Sequence, residues 1–266
     1  MAGIGAKKLS QIYGSLVQLD NGITGFDSTV RTIKDGAGNS SSINISKEKF
    51  KVTPQSSDST DIFKVTDKDG NSLLVVDGTN DKILAGIGQV AINTQYAKFG
   101  ISYPDFSSLA AGTHYPIPAS PIGGGNQLFT DVDFGTGTDP DTTFTTADTD
   151  TQYASQLVPC LFYVPDSISI DAVTSIEGAD AATGDTTRMH LYSYTFTSGS
   201  TSALTSGTLL AHNSDVTNAG NEQAYLTTWT IDSASVAAGK VLAAFFVSDS
   251  VNSDYSLNIT VKYHVV

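Results

Sequence analysis

A chain with a single cysteine, Cys160, cannot build an intramolecular disulfide framework or a cysteine-rich zinc site. Its four histidines are scattered, which leaves little material for a histidine-based metal or acid–base cluster. Positive charge is scarce as well: 14 Lys and Arg stand against 27 Asp and Glu, a net charge of −13. That balance argues against nucleic acid and against insertion into anionic membranes. The longest clean apolar run, Val241 to Val247, is far short of the roughly 20 residues that span a bilayer. No apolar segment follows Lys7 and Lys8, so no secretory signal is expected and the chain is read as made in the cytoplasm. The sequons at Asn39, Asn44 and Asn258 then carry no weight.

What is present is hydroxyl and glycine. The 266 residues include 63 Ser and Thr and 24 Gly, so the chain is polar by hydroxyls rather than by charge. A hydrophobic fraction of 39% is nevertheless too high for a wholly disordered chain. The charge is lopsided: residues 1–98 sum to +1 and residues 99–266 to −14. Such a break in composition suggests a domain boundary.

Four regions follow along the chain. Residues 1–20 are read as an anchor segment. Over residues 6–19, Leu9, Ile12, Tyr13, Leu16 and Leu19 recur at helical spacing, predicting a brief helix whose one apolar stripe docks on a partner or drives oligomerisation. Residues 21–98 read as short strands cut by turns such as 35–39, 69–71 and 77–80. Phe50-Lys51-Val52-Thr53 recurs as Phe63-Lys64-Val65-Thr66, a weak internal echo. With so few apolar residues per strand this region would be marginal alone, and three copies wound together would complete one another's core. Residues 99–156 read as a loop-rich connector with long surface loops and one or two strands over Gln127 to Phe134. Residues 157–266 carry regularly spaced strands, at 157–164, 167–176, 188–196, 207–213, 224–231, 240–247 and 255–265. This spacing predicts a β-sandwich or jelly roll. Tyr192, Tyr194, Phe196, Trp229, Phe245 and Phe246 are its expected core bulk. The fold class is therefore all-β, as an intertwined trimer.

Candidate chemistry is thin. Asp131, Asp133, Asp139 and Asp141 form a tract that could hold a structural calcium ion or be a solvated acidic loop; the EF-hand pattern fails because no Glu closes it. No other cofactor is expected. Glycosidase chemistry needs two carboxylates at a set separation, and the sequence places no such pair. No Gly-x-Ser-x-Gly elbow occurs, and Gly123-Gly124-Gly125 lacks the Lys-Ser/Thr of a phosphate loop. Cys160, in the run Leu157-Val158-Pro159-Cys160-Leu161-Phe162, reads as a small hydrophobe. His190 and His264 read as surface or hydrogen-bonded residues, and His114 and His212 as isolated. The chain is read as non-enzymatic.

Three stretches carry a resemblance. Residues 17–39, Val17-Gln18-Leu19-Asp20-Asn21-Gly22 through Asp35-Gly36-Ala37-Gly38-Asn39, resemble openings of structural proteins of tailed bacteriophages, especially marine ones. The block from Phe63-Lys64-Val65-Thr66 through Gly70-Asn71-Ser72-Leu73-Leu74-Val75-Val76-Asp77-Gly78 to Ile83 is similar to a module of phage fibres. Ser248 to Leu257 are similar to the C-terminal β-domains of the same proteins. The resemblance implies a homotrimer on the virion surface. Its N-terminal part would dock on other virion proteins: tail, portal-proximal or major capsid protein. Its outward C-terminal domain would meet a host glycan or protein. Two appendages fit this class, a tail fibre and a head decoration protein that cements capsomers. A small glycan-processing enzyme is the remote alternative.

Overall fold

The computed structural model describes residues 17–19, 25–103, 110–119, 131–149, 151–180, 183–220, 223–250 and 254–266. They fall into two units, one ending at Asn93 and one beginning at Thr94. The fold is all-β, and every strand pairing is antiparallel.

The first unit is two four-stranded meanders. One orders β1 (Val17–Leu19), β2 (Arg31–Asp35), β3 (Ser40–Ile45) and β4 (Phe50–Val52). The other orders β5 (Phe63–Thr66), β6 (Ser72–Asp77), β7 (Lys82–Ala85) and β8 (Val90–Ala91). The turns between β2 and β3 and between β5 and β6 use the same device. The Asp35 carboxylate accepts from the backbone of Ala37 and Asn39 and from the Asn39 amide, at 2.8–2.9 Å. Asp67 accepts from the backbone of Asp69 and Asn71 and from the Asn71 amide, at 2.9 Å. Gly38 and Gly70 occupy the same left-handed position, at φ 89° and 87°, which a Cβ would strain. These hydrogen bonds, first of all those from the two Asn residues, hold both carboxyls below the usual aspartate range.

The repeat in this unit is thus the Asp-to-Asn turn, and it makes β2–β3 equivalent to β5–β6. The Phe-Lys-Val-Thr echo does not mark equivalent strands, because its copies fall on β4 and β5. The expected helix is corrected where it can be tested. Residues 6–16, with Leu9, Ile12, Tyr13 and Leu16, lie outside the described residues. Val17–Leu19 is a strand, with Leu19 opposite Ile33. The segment gains ladder hydrogen bonds from β2, whereas a helix so short is marginal unless its apolar stripe is packed.

The second unit stacks two sheets. One orders β16 (Gln223–Thr228), β12 (Ile168–Asp180), β20 (Asp254–Val265) and β9 (Thr94–Tyr103), with β18 (Ser235–Val236) also on β12. The other orders β10 (Tyr115–Ile117), β19 (Lys240–Ser248), β13 (Thr186–Phe196), β14 (Leu204–His212) and β17 (Thr230–Ile231). To it β11 (Phe162–Tyr163) and β15 (Val216–Thr217) add short pairings. Phe99, Val173, Ile259 and Val261 from the first sheet meet Met189, Leu191, Leu242 and Phe246 from the second in one buried core. That is the packing of a sandwich.

A second core lies around Phe134, Tyr194 and Phe245. Val132, Phe134 and Phe144 from the long loops pack with Leu157, Tyr192, Tyr194, Leu204, Val241 and Phe245. Phe134 stacks on Phe144 at 4.7 Å and lies 4.6 Å from Phe245. Strands β13 and β19 are consequently buried on both faces, which explains the unbroken apolar run from Val241. The loops of 131–149 are therefore core-bearing as well as connecting.

Several strand expectations change. The run 157–164 begins as a single turn, α1 (Ala154–Leu157), followed by a 3-10 turn at Val158–Cys160. Pro159 removes a ladder donor and suits the start of that turn. Residues 131–134 are irregular, and 127–130 lie outside the described residues. Phe196 is 40% exposed, unlike the other five expected core aromatics. In β20 the alternation puts Leu257, Ile259, Val261 and Tyr263 inward, yet His264 on the opposite face is also buried.

Candidate functional site

An open cleft of about 710 Å³ lies at one end of the second unit. Four segments line it: the loop Thr136-Gly137-Thr138, the start of β13 at Thr186-Thr187-Arg188, Asp215 before β15, and Val247-Ser248-Asp249 at the end of β19. Gly112 completes the wall. The strand pairing fixes this geometry, because Thr187 and Arg188 sit opposite Ser248 and Val247.

The strongest pair in the cleft is Arg188 with Asp215. The guanidinium Nε donates to Asp215 Oδ1 at 2.5 Å, and a second N–H donates to Oδ2 at 2.9 Å. The fork raises the Arg188 pKa and lowers that of Asp215, each chiefly through this hydrogen bond. Across the cleft Asp249 Oδ1 accepts from the Thr186 backbone at 2.7 Å, and its own N–H returns to the Thr186 carbonyl. These bonds and the strand pairing orient the charged groups of the floor.

Three buried titratable groups, Glu177, His190 and His114, sit behind this surface. Thr187 donates to Glu177 Oε2 at 3.0 Å, while Glu177 Oε1 has no hydrogen-bond partner. Burial raises the Glu177 pKa from 4.5 to about 7, with the Thr187 bond opposing. On the other side His190 and His114 pack edge-to-face at 5.1 Å, both almost wholly buried. His190 Nε2 lies 3.4 Å from Asp139 Oδ1, and His114 Nδ1 lies 3.2 Å from the Gly135 carbonyl. Burial depresses both, His190 to about 3 with the nearby His114 adding to it.

The histidines correct the reading from sequence. His114 is not isolated, since it packs on His190. Of the two readings left open for His190 and His264, surface or hydrogen-bonded, the surface one fails because both are buried, and the hydrogen-bonded one holds for His264, whose Nδ1 meets Asp171 Oδ1 at 3.1 Å. His212 Nδ1 meets Asp232 at 2.8 Å. Three of the four histidines thus contact an aspartate. Nothing in the local sequence around His114 signals its partner, which is 76 residues away.

The aspartate tract divides its tasks. Asp133 Oδ1 accepts from the Gly135 backbone at 2.6 Å, Asp139 faces His190, and the Asp141 backbone bonds Phe134 and the Tyr194 hydroxyl. Asp131 is exposed. Among the described residues no three His, Cys, Asp or Glu side chains gather as a metal-ligand group. Cys160 is buried, its thiol pushed up to about 12 by desolvation, with Sγ near the Pro116 and Gln156 carbonyls. A thiol so held is almost wholly protonated at neutral pH and a poor nucleophile. Of the docking residues expected from the sequence, only Leu19 lies within the described chain.

Compared with known proteins, the chain matches no family model and no curated protein.

Proposed function

We propose that the chain is a non-enzymatic structural protein of a tailed-phage particle: a trimeric, fibre-type appendage. Its N-terminal unit docks and intertwines, and its outward sandwich, wound as a jelly roll, meets the host. The phage-like stretches quoted above motivate the class. The observation that carries the assembly is the poor burial of the first unit. Among its described residues only Val75 is a buried hydrophobic, while twelve large hydrophobics are exposed. Phe50, Ile87 and Val90 are 63%, 73% and 69% exposed. Such sheets lack a core of their own, and each of these side chains gains about 1.5–3 kcal/mol on full burial. Two further copies of the same chain supply matching strands and bury them in register. The second unit needs no such help, as its two cores are closed.

Two measurements test this. Sedimentation equilibrium of the full chain at micromolar concentration should give three times the 27.8 kDa chain mass, and a monomer would sink the trimer. Imaging of intact particles should place a few copies at the tail. Hundreds of copies on the capsid lattice would instead mean a head decoration protein, and absence from any virion would end the reading.

A further inference from the structure

We propose that the cleft at Arg188 and Asp215 is a binding site for a neutral carbohydrate. The inference deepens the host-contact part of the proposed function. It rests on that reading only for where the sugar would be met, since the cleft is built within one chain.

Charge narrows the ligand first. The one cation among the described residues of the lining, Arg188, is already engaged by Asp215 in a two-pronged pair. Asp249 adds a further carboxylate to the lining, and Asp139 stands close enough to influence Arg188. An anion such as phosphate or a carboxylated sugar would meet net negative charge here. Nor do the described residues gather three acidic or imidazole ligands for a metal cation.

Hydrogen-bonding capacity then points to a polyol. Of the eleven described lining residues five are Thr or Ser; the hydroxyls of Thr187 and Ser248 are engaged inward with Glu177 and Tyr255, which leaves Thr136, Thr138 and Thr186 to face a ligand. Each hydroxyl group can donate and accept. The Arg–Asp pair presents N–H donors and carboxylate acceptors side by side. Two of the five guanidinium N–H groups go to Asp215, so others remain for a ligand. Adjacent sugar hydroxyls match that array, one donating to Asp215 while its neighbour accepts from Arg188. The volume suits a mono- or disaccharide, being within the roughly 300–1,000 Å³ of small-molecule sites.

The wall also sets the strength. Among the described residues Val247 is the only large apolar side chain in the lining, and none of them offers an aromatic ring as a stacking platform. Binding by one cleft is therefore weak, in the millimolar range. Three clefts on one trimer would raise it through avidity.

The test is saturation-transfer NMR on the full-length protein with a panel of neutral disaccharides: lactose, maltose, cellobiose and mannobiose, each at about 10 mM. At least one should receive saturation. Asp215→Asn, checked for native Trp229 fluorescence, should weaken it at least tenfold. Thr138→Val, which leaves the ion pair untouched, should weaken it several-fold and covers the case in which the first variant misfolds. No transfer to any sugar, transfer unchanged in the folded variants, or displacement of the sugar by inorganic phosphate would overturn the proposal. A virion location without sugar binding would remove this inference alone. Sugar binding by a chain absent from every virion would remove the assembly reading alone.

Discussion

Glu177 offers the sharpest perturbation in the molecule. It is 2% exposed on β12, held by one hydrogen bond from Thr187, with its other oxygen unpartnered. Its surroundings leave a space of only about 10 Å³, bounded by Asp185, Val216, Asn218, Tyr225 and Tyr255. Desolvation raises its pKa from 4.5 to about 7 in the folded protein. The sign follows directly. Below pH 4.5 the carboxyl is neutral in both folded and unfolded chains and costs nothing by ionisation. As pH rises toward 7 the unfolded chain releases its proton and the folded chain does not, so stability is lost. Above about 7 the full difference applies, about 3 kcal/mol at about 1.4 kcal/mol per pH unit. Glu177→Gln keeps the shape and the acceptor for Thr187 and cannot ionise. The variant should match the parent near pH 4.5 and exceed it by about 3 kcal/mol at pH 8.5. Urea unfolding followed by Trp229 reads this well, because that residue is the only tryptophan and its Nε1 bonds Ser175, two residues from Glu177 on the same strand. Other groups contribute to each curve, so the difference between the two proteins is the quantity that matters. A difference that does not change between pH 4.5 and 8.5 would refute the reasoning.

Four further outcomes are expected. His190 is depressed from 6.5 to about 3, so the neutral ring is stabilising, and stability should fall by up to about 5 kcal/mol as pH drops from 6.5 toward 3; His190→Phe should flatten this acid limb in thermal melts, and an unchanged limb would count against the buried imidazole. Gly207→Ala would place a Cβ 2.6 Å from Tyr194 and 2.8 Å from the Thr142 backbone, so urea unfolding should show a loss of about 1–3 kcal/mol. Phe134→Ala removes the ring shared by Phe144, Tyr194 and Phe245, and should cost about 3–5 kcal/mol by the same assay. A trimer held by apolar sheets should keep its sedimentation mass as salt is raised from about 0.05 to about 1 M, whereas one held by ion pairs would dissociate as screening tightens.

The sequence displayed the sandwich best where period-two alternation was clean. In β20, Leu257, Ile259, Val261 and Tyr263 face the core as their spacing predicts. It misled where a strand is buried on both faces or where proline intervenes. The apolar run 157–164 looks like a strand, yet Pro159 turns it into a 3-10 segment before β11. The second core could not be read locally, because Val132, Phe134 and Phe144 are single apolar residues in Thr- and Asp-rich loops and meet Tyr194 only through the tertiary fold. The cleft was hidden for the same reason: Thr136, Arg188, Asp215 and Asp249 come from four distant segments. The paired turns at Asp35 and Asp67 were legible as turns, but their equivalence appears only once both carboxylates are seen to hold an Asn four residues on.

The charge split and the burial split fall at nearly the same place, and this bears on the assembly. The segment up to residue 98 sums to +1 and contains the bare sheets; the remainder sums to −14 and contains both closed cores. Three copies brought together multiply any like charge at their contact. A near-neutral region can therefore be shared among chains without self-repulsion, while a strongly acidic one resists it. The same acidity helps keep an outward domain soluble and discourages contacts between neighbours. Apolar exposure where charge is low, and charge where burial is complete, is the distribution that the proposed assembly through the first unit would require.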